Sequence, residues 1–346
     1  MKVRVGLLLF CLSVPALPVI AAEQIPFIDT HAHLENPLPK DTSAAMADAI
    51  KMMDRFDIRT TLLMPVPHVG AAATRNLEDV ETLAALTAQH PGRFFVVGGA
   101  AVLAPMLQGI AAAKVTDADR ARFAAAAQKV ADAGVVGFGE IGITHFALPA
   151  MGARHQYGEI PADHPFLLML SDIAARADIP IDVHFDVVAQ DMALPPPLKS
   201  PPNPARLDSN LAAFERFLSH NGKARIIWAH AGGEPMRQRT VELCRALFER
   251  HPNLYMSLRV QLTGPHPAFA LNSNGSLKPI WKKLLTDYSE RFVLGSDAFY
   301  TDRPADRRGG KEEGMERFQM LLAQLPPEVA AKIARDNARR IYRLPG

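Results

Sequence analysis

The chain has 346 residues, 48% hydrophobic and 21% charged, with Lys+Arg 38 against Asp+Glu 36. That composition excludes disordered and collagen-like classes, and a chain of this length can bury a large core without covalent staples. The near-balanced charge argues against a polyanion-coating protein, because nucleic-acid binding shows as clustered excess Lys and Arg.

Residues 1–22 read as a secretory signal peptide. Lys2 and Arg4 form a basic start, residues 6–12 an apolar run, and Ala21 and Ala22 a small-residue cleavage site. Cleavage there removes two cations and no anions, so the formal net charge becomes zero and residues 23–346 remain as one domain. The expected location is the periplasm, or outside the cell. Cys11 leaves with the signal and Cys244 stays alone, so no internal disulfide is available even where oxidation allows one. The apolar run is too short to span a bilayer as a helix, and no later stretch is long and apolar enough, so no membrane anchor is expected.

Apolar runs then alternate with amphipathic stretches. In chain order the runs are residues 25–30, 60–66, 94–99, 135–141, 181–185, 224–229, 254–260 and 292–294. Helical patterns fall near residues 43–56, 75–90, 119–133, 165–177, 208–220 and 235–250, with further helical segments after each of the last two runs. The runs are apolar throughout rather than alternating, as parallel strands covered on both faces should be. Eight such units predict an α/β protein, a (β/α)8 TIM barrel. A doubly wound open sheet shares the alternation, but no G-x-G-x-x-G follows the first run. Helix-to-strand connections are short, whereas residues 142–164, 189–207, 259–278 and 298–316 form long strand-to-helix loops. In a barrel these gather at the C-terminal face, where sites are built. The second holds six prolines, from Pro195 to Pro204, and reads as a stiff wall over a pocket or a solvated excursion.

Polar residues of ligand type mark the ends of these runs. His31 and His33 close the first in Ile28-Asp29-Thr30-His31-Ala32-His33. Residues two apart in a strand share a face, so both imidazoles offer themselves to one borderline metal such as zinc. Glu140 closes the fourth run, His184 lies near the end of the fifth, His230 ends the sixth and Asp297 ends the eighth. Singly, His184 reads as a core histidine, Glu140 as the partner of an Arg, and Asp297 as a helix cap. Together, charge buried at five strand ends asks for a compensating cation.

The set resembles the amidohydrolase superfamily, metal-dependent hydrolases on a (β/α)8 barrel, across essentially the whole mature chain. Trp228-Ala229-His230-Ala231-Gly232-Gly233, Leu294-Gly295-Ser296-Asp297 and Asn337-Ala338-Arg339-Arg340-Ile341-Tyr342 are most similar to the amidohydrolase-related branch. Gly139-Glu140-Ile141-Gly142 is more similar to TatD-type hydrolases, in which the Glu ligates metal. The resemblance implies a divalent metal, zinc first, with one or two ions per chain. His31, His33 and Asp297 would hold one ion and His184 and His230 a second, with Glu140 between them. Asp297 would also be catalytic, moving a proton from the attacking water to the leaving group. The implied reaction is hydrolysis of an ester or lactone, an amide or a phosphoester of a small molecule. A mononuclear decarboxylase of the same branch is the alternative, and a metal-holding binding protein a rival from another class.

Arg259, at the end of the seventh run, is read either as a contact for an anionic substrate group or as a structural ion pair. His145, His155, His266, Asp186 and Arg303 lie in the rim loops without a motif behind them. His90 and His251 suit helix C-termini, and Asp29 suits orientation of the first strand or a ligand. A small-molecule substrate is the expected partner, and self-association is compatible with the sequence.

Overall fold

In the computed structural model, eight parallel strands close into a ring. They are Phe27–Leu34 (β1), Ile58–Leu63 (β2), Phe94–Gly99 (β3), Gly137–His145 (β4), Ile181–Phe185 (β5), Ile226–Ala231 (β6), Leu254–Leu258 (β7) and Phe292–Leu294 (β8). Each pairs with its sequence neighbours, and β8 returns to β1 through Asp29 opposite Leu294. The structure describes residues 24–34, 43–67, 69, 80–152, 155–233, 236–260, 263–301 and 311–345. The expected signal peptide and Arg303 lie outside them. Among the described residues no helix is long and apolar enough to cross a membrane.

Helices α1 (Ser43–Arg55), α2 (Val80–Thr87), α3 (Ala100–Gly109), α4 (Asp117–Asp132), α5 (Pro165–Ala177), α6 (Leu211–His220), α7 (Val241–Arg250) and α8 (Pro279–Asp287) cover the outside. Outward strand residues such as Phe27, Phe138, Val183 and Ile226 pack with Met53, Phe123, Phe166 and Phe214 of the helices in one buried cluster. At ~1.5–3 kcal/mol for each such side chain buried, this layer is the main source of stability. After α9 (Lys311–Leu322), α10 (Pro327–Ala331) runs through a π-helical turn into α11 (Asn337–Tyr342). Ile341, Tyr342 and Leu344 then plug the barrel floor against Ile28, Leu62, Val97, Ile227 and Val293.

Two boundaries bear on the site. β1 runs on to Leu34, so His31 and His33 both lie inside the strand. β4 runs on to His145 and pairs there with the short antiparallel strand Gly158–Glu159, so Glu140 sits within the strand rather than closing it. The proline-rich loop is neither bare wall nor solvated excursion. Met192–Ala193 pairs with Arg206–Leu207, and Leu198 and Leu207 pack on Phe146, Val188 and Met236. Buried Asn203 pins this hairpin, its Oδ1 accepting from Ala147 N (2.8 Å) and its Nδ2 donating to Ala147 O (2.9 Å).

Candidate metal centre

All six expected ligand residues converge at the C-terminal mouth of the barrel around Glu140. Its Oε2 lies 3.2 Å from His31 Nε2 and 3.5 Å from His33 Nε2. Its Oε1 lies 2.9 Å from His184 Nδ1 and 3.0 Å from His230 Nε2, and those two nitrogens are 3.2 Å apart. Asp297 Oδ1 joins the first group, 3.2 Å from His33 Nε2 and 3.9 Å from His31 Nε2. Donor atoms of His31, Glu140, His230 and Asp297 all lie within 4.8 Å of one another.

These spacings fit a cation. A tetrahedral ion about 2.1 Å from each donor sets donors roughly 3.4 Å apart. His33 Nε2 is buried without a hydrogen-bond partner among the described residues, an orphaned lone pair in the centre of the group. The ring orientations agree. His33 Nδ1–H donates to Met64 O (3.0 Å), so in the neutral ring Nε2 is the electron-pair donor. His184 is turned the other way, with Nε2 3.4 Å from Asp186 Oδ2 and Nδ1 on Glu140.

Local backbone builds the constellation. His230 (φ 69°) and Asp297 (φ 53°) both occupy the left-handed region, a costly conformation for non-glycine residues and one that gathers at functional sites. Asp29 ties β1 to the turn carrying Asp297. Its carboxylate accepts from Ser296 N (2.9 Å), Ser296 Oγ (2.6 Å) and His31 N (3.3 Å), while Asp297 N donates to His31 O (2.8 Å). Close approach also needs Gly295, where a Cβ would lie 2.1 Å from Ser257 Oγ and 2.8 Å from His31 Cβ.

Electrostatics match a site made for positive charge. Burial disfavours charge on His31, yet the Asp182 and Glu140 carboxylates outweigh it and hold its pKa well above the usual histidine value. The same contest, of burial against Asp297 and Glu140, leaves His33 at about 9. Burial against Asp186 and Glu140 leaves His184 at about 10. For His230 burial wins, and its pKa falls to about 3. Asp297 resists burial through Arg259, His230 and His33 and is held far below the ordinary carboxylate range.

Arg259 occupies the ion-pair alternative, with Nη2 3.0 Å from Asp297 Oδ2 and its side chain 26% exposed. His145 packs between His155 (4.4 Å) and His184 (4.8 Å), its ring tilted against both, and donates from Nδ1 to Gln156 O (2.7 Å). His266 is engaged within its own loop, accepting from Ala268 N (3.2 Å). His251 caps the C-terminus of α7, and His90 packs on Phe94. One close neighbour of the ligands escaped sequence reasoning: Asp182, fully buried, with Oδ1 3.3 Å from His31 Nδ1. The signal available was parity, because Asp182 stands two residues before His184 and so faces the same side of β5.

A closed (β/α)8 barrel with a buried imidazole–carboxylate cluster in its mouth defines a metal-dependent hydrolase acting on small molecules. The chain belongs to the amidohydrolase family, whose profile, described as Amidohydrolase, matches residues 28–344. Among solved structures it is similar to a uronate isomerase from Bacillus halodurans C-125. The two are 12% identical over 87% of this chain and 69% of that one, with a TM-score of 0.51. An amidohydrolase from Mycobacterium avium subsp. paratuberculosis K-10 is 14% identical over 89% and 80%, with a TM-score of 0.43. Organophosphorus hydrolase from Deinococcus radiodurans is 12% identical over 91% and 92%, with a TM-score of 0.48. At these identities the likeness is one of fold. No curated protein matches the chain significantly.

Proposed function

We propose that the chain is an exported hydrolase that uses up to two divalent ions, zinc first, to open an ester or lactone, an amide or a phosphoester of a small molecule. The observation that carries this reading is the division of Glu140. One oxygen faces His31 and His33, and the other faces His184 and His230. A carboxylate so placed suits a bridge between two ions, with Asp297 completing the first group. Four imidazoles with two carboxylates form a donor set suited to zinc.

A divalent ion held there would supply Lewis-acid polarisation and make water acidic near neutral pH. The chain's own groups do the rest. Asp297 keeps Oδ1 toward the cluster because Arg259 holds Oδ2. Oδ1 would accept the proton of the attacking water and return it to the leaving group. Arg259, partly exposed beside this carboxylate, also suits an anionic group on the substrate. Burial of His31, His33 and Glu140 keeps bulk water from competing with the bound molecule.

The test is elemental analysis of purified protein beside turnover on a panel of esters, lactones, amides and phosphoesters. Two ions per chain with hydrolysis that stops on chelation is the expected result. The compact grouping of His31, Glu140, His230 and Asp297 favours a second reading with a single ion. One tightly bound ion, with carbon dioxide released from a carboxylic acid, would establish the decarboxylase instead. Export is tested by N-terminal sequencing: a start near Ala22 or Glu23 is expected, and an intact Met1 on cytoplasmic protein rules it out.

A further inference from the structure

We infer that Asp182 is a positioning residue for the metal centre, holding His31 so that its Nε2 faces the ion. The inference rests on the reading of His31 as a ligand. Asp182 is fully buried inside the barrel, and neither carboxylate oxygen has a hydrogen-bond partner among the described residues. Its ion-pair partner there is His31 Nδ1, 3.3 Å from Oδ1. A carboxylate sealed from water and otherwise unpaired costs several kcal/mol (order of magnitude) unless something compensates it. His31 Nδ1–H is the group placed to do so. That pairing puts the proton on Nδ1 and makes Nε2 the electron-pair donor.

The β4 backbone passes close to Asp182 at Gly139, where a Cβ would meet Asp182 Cβ at 2.9 Å and its backbone carbonyl oxygen at 3.2 Å, so only glycine lets the two strands approach this closely. His33 gains the same orientation from a backbone carbonyl, Met64 O, which carries no net charge. The two imidazoles of β1 are therefore oriented by different means, and only His31 is paired with a buried anion from β5. His31 is accordingly the ligand of the pair whose orientation depends on a distant strand.

The experiment compares wild type and Asp182→Asn as metal-free, folded proteins titrated with zinc against a competing chelator. Thermal unfolding of both metal-free forms is recorded alongside. Zinc binding weakened about 10–100-fold, with metal-free stability unchanged or raised, is expected, since the amide still accepts from Nδ1–H but removes the anion. A merely structural Asp182 gives the reverse: lower metal-free stability and zinc affinity within about threefold of wild type, which overturns the inference. Wild type that takes up no zinc sinks the metal-centre reading itself, a separate failure. Should Asp182→Asn not fold, histidine-selective 15N NMR of zinc-loaded wild type decides. His31 protonated at Nδ1 with Nε2 on the metal upholds the assignment, and ligation through Nδ1 overturns it.

Discussion

Asp297 serves two partners with its two oxygens, Arg259 on Oδ2 and the histidine cluster on Oδ1. In Asp297→Asn the single amide oxygen must choose between them, and the amide cannot take a proton from water. Turnover should fall by roughly 10²–10⁴-fold, the range for general acid–base groups, while the remaining ligands keep much of the metal. Metal content measured beside kcat on the best panel substrate checks this, and near-normal hydrolysis would refute the proton-transfer role. Gly295 makes a different kind of prediction. The Cβ of Gly295→Ala would overlap Ser257 Oγ and crowd His31 Cβ. The backbone must shift, at ~1–3 kcal/mol for overpacking, and it carries His31 with it. Loss of both thermal stability and bound zinc is expected, and full retention of zinc would show that β8 absorbs the strain. The six ligand candidates were legible because each is a polar residue in an apolar run. Asp182 was not, because its partner His31 lies on β1, far away in sequence, and the parity with His184 gives the face of β5 but not that partner.

Elements read well where an unbroken apolar run or a clean helical period marks them, and poorly where neither does. β3, β5, β8 and α5 have the bounds expected from their apolar runs and helical pattern. α3 was missed. Its buried residues Ala100, Leu103, Ala104 and Leu107 do follow helical spacing, but apolar Val102, exposed on the other face, blurs the period, and Pro105 reads as a breaker. The hairpin in the proline-rich loop was hidden for a related reason. Its two strands are two residues each, and Asn203 ties the loop between them to Ala147, which no pattern announces. At the start of α5, His164 caps the helix, its Nδ1 accepting from Phe166 N (3.2 Å) while Nε2–H donates to Ile110 O (3.0 Å). Burial lowers its pKa below the ordinary value. The unfolded chain therefore binds this proton more readily than the fold does. The stabilisation is complete above about pH 6.5 and is lost as the pH falls toward the folded-state value. His164→Asn keeps a capping acceptor without the titration. Denaturant unfolding at pH 7 and pH 5 should show wild type losing more stability than the variant, the metal's own pH dependence cancelling in the difference. Equal losses would mean that the imidazolium is tolerated at this cap.

At the scale of the whole molecule, the barrel is sealed at its floor by hydrophobic packing and left polar at its mouth. Ile341, Tyr342 and Leu344 fill the floor, while β1, β4, β5, β6 and the turn after β8 send charged or titratable groups into the mouth. These strands are not all neighbours: β1 and β4 are separated in the ring by β2 and β3. Ladder hydrogen bonds couple only adjacent strands, so an ion gripped by His31 and Glu140 adds a tie across the ring that the backbone does not provide. Unfolding must break that tie, because the ligands are scattered along the unfolded chain and no preformed site survives there. Binding that favours the folded state stabilises it by RT ln(1 + [L]/Kd), about 2.7 kcal/mol at a hundredfold excess over Kd. At roughly 2 °C per kcal/mol for a chain of this size, that is a rise in Tm of about 5 °C. Thermal unfolding of zinc-replete and chelated protein should differ by about this amount. In His31→Ala the difference should shrink or vanish, since the tie loses its end on β1. A wild type whose Tm is the same with zinc as with chelator would mean that the cluster holds no ion tightly enough to couple the strands, and that proton-bearing imidazoles balance its carboxylates unaided.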